Sequence, residues 1–197
     1  MRVRIDCEKW RGRGGRVLRT LISVVVVLTA AGPGRAEERL TPGWMTIDSG
    51  AKNVAMDVVA GFNPNNSSWN FNGYYEGNAT VVVPVGWSVR IALTNRDGDV
   101  PHSLVVIDDP GGAAELPLQA GREQTAIPRA YSKSPEQGIS AGDQDVVSFK
   151  TREAGDYLWF CGVPGHGQSG MWIYFEVAAD ADAPYLTVAE DAEPGRP

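Results

Sequence analysis

Short apolar or alternating runs, separated by turns rich in Gly, Pro, Asn and Asp, follow one another from residue 44 onward. Runs of this length and spacing predict β-strands rather than helices. No long stretch repeats its apolar residues with a helical period. We therefore predict a single all-β domain, a Greek-key β-sandwich. Its predicted strands cover 44–48, 54–59, 69–71, 79–83, 88–94, 102–107, 123–127, 146–149, 157–160 and 172–177.

Two regions carry a weaker pattern. A structureless loop as long as 109–143 is unusual in a compact domain, so we expect the short strand at 123–127 and a helical turn within it. Residues 178–197 are rich in acidic side chains. We expect them to form a solvated tail after a domain that spans 37–177.

The first 36 residues have the order of a secretory signal peptide. A basic start is followed by an apolar run at 21–31 and by the small residues around Ala36. The apolar run is about half of the ~20 residues that a membrane-spanning helix needs. We predict a signal peptide at 1–36, with a retained N-terminal anchor as the alternative. The protein is then exported, to the periplasm or the outer face of the cytoplasmic membrane.

Charge is distributed unevenly along the chain. The first 36 residues hold 8 of the 18 basic but only 2 of the 24 acidic residues, which leaves 10 basic and 22 acidic residues for the rest. Because the rest of the chain is this acidic, we do not expect it to bind nucleic acid or anionic lipid. We expect membrane contact only through an N-terminal anchor. The charge favours a basic or neutral partner surface, or it serves solubility alone.

The candidate chemistry lies in one Gly- and Pro-rich loop that holds Cys161, His166 and Met171. Thiolate, imidazole and thioether together suit copper, whereas structural zinc sites do not use Met. A trigonal blue-copper site needs a second imidazole, and the chain has only two His, so the second is His102. Because Cys7 lies before the apolar run, Cys161 is the only thiol expected in the exported protein. A lone thiol there is a liability unless a metal occupies it.

Several motifs give the chain its resemblance to a known family. It resembles the cupredoxins, the type 1 blue copper proteins, and is most similar to sulfocyanin and rusticyanin over residues 44–177. Those two groups share the spacing of the Cys161–Met171 loop, while plastocyanin and azurin space these ligands differently. The matching segments are Phe71–Tyr74, Val83–Trp87, Thr94–Asp97, Pro101–Ser103 and Cys161–Met171.

The resemblance implies one copper ion per chain, held by His102, Cys161, His166 and a weak axial Met171. It implies a monomeric single-electron carrier rather than an enzyme, which exchanges electrons between respiratory-chain partners by Cu(I)/Cu(II) cycling. The partners would be a cytochrome or a terminal oxidase, docked near an exposed edge of His166.

Two neighbours of the ligands are expected to tune the copper. The resemblance implies a hydrogen bond from Ser103 to the ligand loop. Gly162 follows the thiol and is expected to bring its backbone N–H toward the sulfur, which raises the reduction potential. The tryptophans, Trp69 among them, are interpreted as core residues.

Other functions stay open at this point. A copper-delivery or sequestration protein is the main alternative, although such proteins usually offer open sites rich in Met or His. A multicopper oxidase needs further copper ligands, and His102 and His166 are both already assigned. A Cys-His hydrolase leaves Met171 without a role.

Overall fold

The computed structural model describes residues 38–190 and 192. The predicted signal peptide at 1–36 therefore lies outside the described residues. Within them, no helix is long and apolar enough to cross a membrane. The described strands are β1 (Met45–Asp48), β2 (Asn53–Ala60), β3 (Ala79–Pro84), β4 (Ser88–Asn95), β5 (Val105–Asp108), β6 (Gln144–Lys150), β7 (Gly155–Phe160), β8 (Trp172–Ala178) and β9 (Tyr185–Val188).

The strands form two sheets, which confirms the predicted all-β sandwich. One sheet has the order β1-β2-β4-β6, and the other has the order β5-β7-β8-β3-β9. The β2–β4 and β3–β8 pairs are parallel, and the remaining pairs are antiparallel. Strands distant in sequence are thus neighbours, which brings the segments around residues 102 and 161 to the same end of the β5–β7 pair.

Alternation along the strands decides which side chains enter the core. On β2, Val54, Met56 and Val58 are buried, while the residues between them are more exposed. Side chains alternate in the same way on β7. Trp159 belongs to the main core, and Leu158 belongs to a smaller cluster on the other face of the sheet. Because side chains alternate across a strand, Cys161 then lies on the main-core side, like Trp159.

The segment 109–143 covers the outer face of β5 and β7 and the start of β8. Its apolar residues pack against outward-facing strand residues in a second cluster of Val105, Ile107, Leu116, Ala120, Leu158, Phe160, Trp172 and the partly buried Tyr131. The segment contains two 3₁₀ turns, Ala113–Glu115 and Arg122–Gln124. It therefore supplies the layer that buries this part of the sheet, while Tyr174 farther along β8 is 37% exposed.

The strand predicted at 123–127 is wrong. The Ala126 N–H donates to the Val106 carbonyl, but the Ala130 N–H bonds back to the carbonyl of Ile127. Pro128 lies between them and has no N–H to continue a ladder, so the chain turns instead.

The strand predicted at 69–71 is wrong as well. Phe71 forms only isolated bridges, to Ala60 and Tyr74. Ser68 and Asn72, on either side of the predicted strand, have positive φ, outside the extended β region, so the chain turns at both ends of this segment. The buried Asn70 side chain holds this loop by donating to the carbonyls of Asn63 and Asn65.

The domain continues beyond its predicted end at residue 177. Strand β9 pairs with β3, opposite residues 79–82, and Leu186 is fully buried in the main core. Residues 178–197 are thus not a solvated tail throughout, because four of them complete the five-stranded sheet.

Candidate metal centre

Strand parity places two of the predicted ligands side by side. Cys161 directly follows β7 and Met171 directly precedes β8, so the two residues extend the antiparallel β7–β8 pair. The Cys161 N–H donates to the Met171 carbonyl at 3.0 Å, which continues the ladder by one step. Both side chains are fully buried in the main core.

The other two ligands arrive from different directions. His102 lies just before β5 and forms an isolated bridge with Ile139, with the two N–H···O bonds at 3.2 and 2.8 Å. His166 lies within the loop between β7 and β8. Its carbonyl accepts from the Met171 N–H at 3.0 Å, so the loop folds back on its own end.

Three side-chain donors converge in the core. The Sγ of Cys161 lies 3.6 Å from Nδ1 of His166 and 4.0 Å from Nδ1 of His102. The two Nδ1 atoms are 3.2 Å apart. His102 and Cys161 are fully buried, and His166 is 7% exposed. The structure thus brings together three of the predicted ligands, while Met171 joins them through the backbone bonds above and remains the predicted axial ligand.

Burial controls the protonation of this cluster. It lowers the pKa of His102, although the Asp97 carboxylate acts in the opposite direction. It also lowers the pKa of His166 to about 4, helped by the neighbouring His102 and opposed by Asp97. Both imidazoles are therefore neutral near pH 7, the form in which histidine binds a metal.

The thiol is surrounded by hydrogen-bond donors. Burial raises the pKa of Cys161, and hydrogen bonds from the Ser103 and Val163 backbone and the Ser103 side chain act against this rise. The Ser103 N–H lies 3.5 Å from Sγ and the Ser103 hydroxyl lies 3.8 Å from it. A metal that keeps the sulfur ionised would thus find these donors in place.

Gly162 has a different role from the predicted one. Its N–H donates to the Ser103 hydroxyl at 2.9 Å rather than to the sulfur, whose backbone donors are Ser103 and Val163. The same bond confirms the predicted link between Ser103 and the ligand loop. A Cβ at Gly162 would lie 2.2 Å from the Ala120 carbonyl oxygen, so only glycine fits where segment 109–143 crosses the loop.

His166 has no widely exposed edge, contrary to the prediction. The half-buried Trp69 covers it, with ring centroids 4.5 Å apart and an interplanar angle of 17°. Trp69 is therefore a neighbour of the metal centre as well as a residue packed against the core. This stack could not be predicted from the sequence, because a polar loop with unusual backbone angles places Trp69 there.

Asp97 is the second neighbour without an assigned role in the sequence interpretation. Its Oδ2 lies 2.9 Å from Nε2 of His102. A carboxylate accepts hydrogen bonds, so Nε2 carries the imidazole proton and Nδ1 keeps its lone pair for the cluster.

The donor set fits a copper ion. Two imidazoles, one thiolate and a nearby Met are typical of the blue-copper arrangement, whereas a structural zinc site would use a fourth Cys or His. Within residues 38–190 and 192, the cluster of His102, Cys161 and His166 is the only group of three or more His, Cys, Asp or Glu side chains close enough to hold a metal.

Comparisons with known proteins agree with this chemistry. The family described as the Sulfocyanin (SoxE) domain matches residues 42–188. A sulfocyanin from Sulfolobus acidocaldarius is 28% identical over 142 residues, which make up 71% of this chain and 71% of the relative.

Two solved structures are similar to this chain at low sequence identity. Auracyanin A of Chloroflexus aurantiacus, described as a blue copper protein, is 20% identical with a TM-score of 0.44, over 64% of this chain and 99% of its own. A rusticyanin from Thiobacillus ferrooxidans is 18% identical with a TM-score of 0.42, over 68% of this chain and 86% of its own.

The family match spans β1 to β9 and includes all four predicted ligands. The chain belongs to the sulfocyanin family of cupredoxins, the blue copper electron-transfer proteins.

Proposed function

We propose that this protein is an exported carrier of single electrons between respiratory-chain partners. The observation that carries the proposal is the buried convergence of His102, Cys161 and His166. When bound there, copper supplies a one-electron Cu(I)/Cu(II) couple. The chain's own residues fix the donors, exclude water and hold the sulfur among hydrogen-bond donors.

Rigidity of the ligand loop supports a redox role. The backbone bonds of Cys161, His166 and Met171 to one another limit how far the donors can move. A site that changes little between two oxidation states exchanges electrons with little reorganisation. Delivery or sequestration of copper, the alternative, requires ligands that a partner can reach, and the buried donors offer little access.

A small apolar surface beside the ligand loop is the docking site that we propose for a cytochrome or terminal oxidase. Leu118 is 58% exposed, and its carbonyl accepts from the Gly165 N–H at 2.7 Å, next to His166. Pro164 is exposed on the same loop. A partner that covers Leu118 and Pro164 would approach the His166–Trp69 stack closely.

Export is proposed from the first 36 residues and from the thiol. Cys161 is buried and free, as expected of a thiol reserved for a metal. We expect removal of residues 1–36, which mass spectrometry of protein from the native host would check. A full-length chain that must be extracted from membranes would indicate a retained anchor instead.

The visible spectrum of purified protein loaded with copper tests the redox proposal. An intense thiolate-to-copper absorption that disappears on reduction is expected. Mixing the oxidised protein with candidate reduced cytochromes then tests the partner class, because an electron carrier bleaches as the cytochrome is oxidised. A copper-loaded protein with no such absorption would favour the delivery alternative.

A further inference from the structure

The Nε2 nitrogen of His102 donates its hydrogen bond to a charged acceptor, the carboxylate of Asp97. His102 is fully buried, and the Asp97 side chain that meets its Nε2 at 2.9 Å is only 16% exposed. A neutral carbonyl could also accept a hydrogen bond from this N–H, although a charged acceptor forms a stronger one. The carboxylate adds a negative charge on the far side of one predicted copper ligand.

Asp97 is held in place by its own neighbours. Its N–H donates to the Asn95 side-chain carbonyl at 2.9 Å. The amide group of Asn95, which is fully buried, donates to the carbonyls of Val100 at 2.8 Å and Ile139 at 2.9 Å. Ile139 is also the bridge partner of His102. One buried amide therefore fixes both the carboxylate and the strand segment that presents the imidazole.

The end of β2 fixes the same turn from the other side. The Arg96 N–H donates to the Ala60 carbonyl at 2.9 Å. A Cβ at Gly61 would lie 2.7 Å from the Cβ of Asp97, so the two backbones are in close contact. The backbone contacts thus hold Asp97 near His102, and its carboxylate does not belong to a mobile surface segment.

A carboxylate that accepts a hydrogen bond from a metal-bound imidazole orients the ring. It also makes the other ring nitrogen a more basic ligand for the metal. Its negative charge stabilises Cu(II) more than Cu(I), because the attraction grows with the charge of the ion. We propose that Asp97 is a positioning residue that fixes the tautomer of His102 and lowers the reduction potential of the copper. The inference deepens the proposed redox function and rests on it.

Asp97→Asn removes the charge and keeps the shape and one acceptor oxygen. We expect copper to stay bound with a blue spectrum and the potential to rise. A tenfold loss of preference for Cu(II) over Cu(I) corresponds to a rise of about 59 mV in cyclic voltammetry. Asp97→Glu keeps the charge, so its potential should lie nearer to that of the wild type.

Asp99→Asn is the matched control. Asp99 is exposed in the same turn, and the substitution removes the same charge without touching His102. Its shift in potential should be small, because exposed charges are screened by water and salt. A shift for Asp97→Asn no larger than that for Asp99→Asn would overturn the inference.

Asp97→Ala removes the acceptor altogether. Loss of such an outer partner typically weakens metal binding by about 10- to 100-fold. Long-range ¹H–¹⁵N NMR of the copper-free protein gives an independent measurement: His102 should be the Nε2-protonated tautomer in the wild type and a mixture in Asp97→Ala. An unchanged tautomer would contradict the inference. A wild type without blue copper would instead overturn the proposed function.

Discussion

Ser103 and Gly162 are joined by a buried hydrogen bond of 2.9 Å, in which the Gly162 N–H donates to the Ser103 hydroxyl. The bond links the segment that presents His102 to the segment that presents Cys161. The same hydroxyl lies 3.8 Å from the Cys161 sulfur, and a thiolate there can only accept a hydrogen bond from it. The Ser103 side chain thus connects the two ligand segments and also contacts the Cys161 sulfur.

Ser103→Ala tests this relationship. The Gly162 N–H would lose its acceptor in a buried position, which costs about 1–3 kcal/mol of unfolding free energy. Loss of a hydrogen bond to the sulfur should also lower the reduction potential. Denaturant unfolding of the copper-free variant measures the first effect, and voltammetry of the copper-loaded variant measures the second.

Ser132→Ala is the control for this experiment. Ser132 is a fully buried serine whose hydroxyl accepts from the Leu104 N–H at 3.2 Å. Its replacement should lower stability without moving the potential. Equal shifts of the potential in the two variants would show that the Ser103 hydroxyl has no specific effect on the sulfur.

Cys161→Ser tests the identity of the thiolate ligand. We expect loss of the intense visible absorption and of the reversible redox wave, because the variant lacks the sulfur that dominates the bonding. The fold should persist, since a two-sheet core surrounds the site and does not require a metal as a zinc finger does. Circular dichroism checks the fold, and a variant that still gave a blue spectrum would contradict the assignment.

The buried histidines predict how the copper-free protein responds to acid. The pKa of His166 is about 4 in the fold, whereas an unfolded histidine has a pKa near 6.5. Between these values the unfolded chain binds more protons, so stability falls as the pH falls through this window. Thermal melts of copper-free wild type and His166→Gln from about pH 7 to about pH 4.5 measure the effect. The variant should lose less stability than the wild type, and parallel losses would contradict the prediction.

Strands with a regular pattern could be predicted because their signal is local. On β2 and β4, every second residue faces the core, and the sequence shows this directly. Strand β9 was missed because its four residues follow a segment that contains Asp180 and Asp182. Its burial comes from pairing with β3, a distant strand that no local pattern reveals.

The ligands could be found for a similar reason, and their neighbours could not. Cys161, His166 and Met171 lie at short fixed spacings, and His102 follows because the chain has only two histidines. Asp97 and Trp69 approach the centre through turns whose geometry depends on buried asparagine side chains. Asp97 belonged to a matching motif, but its type and position alone do not show which group it contacts.

Met171 gives the sharpest test, because it is either an axial ligand or an apolar residue that fills the core. It is fully buried, and its backbone bonds to both Cys161 and His166. In Met171→Gln, a harder oxygen donor favours Cu(II), so an axial role predicts a lower potential with copper still bound. A preference of about 2 kcal/mol corresponds to about 90 mV for one electron. A core role predicts a lower melting temperature and an unchanged potential, because the buried amide lacks partners.

Met56→Gln is the control, since Met56 is buried in the same core on β2 and should change stability alone. A potential that moves no more for Met171→Gln than for Met56→Gln would remove Met171 from the ligand set.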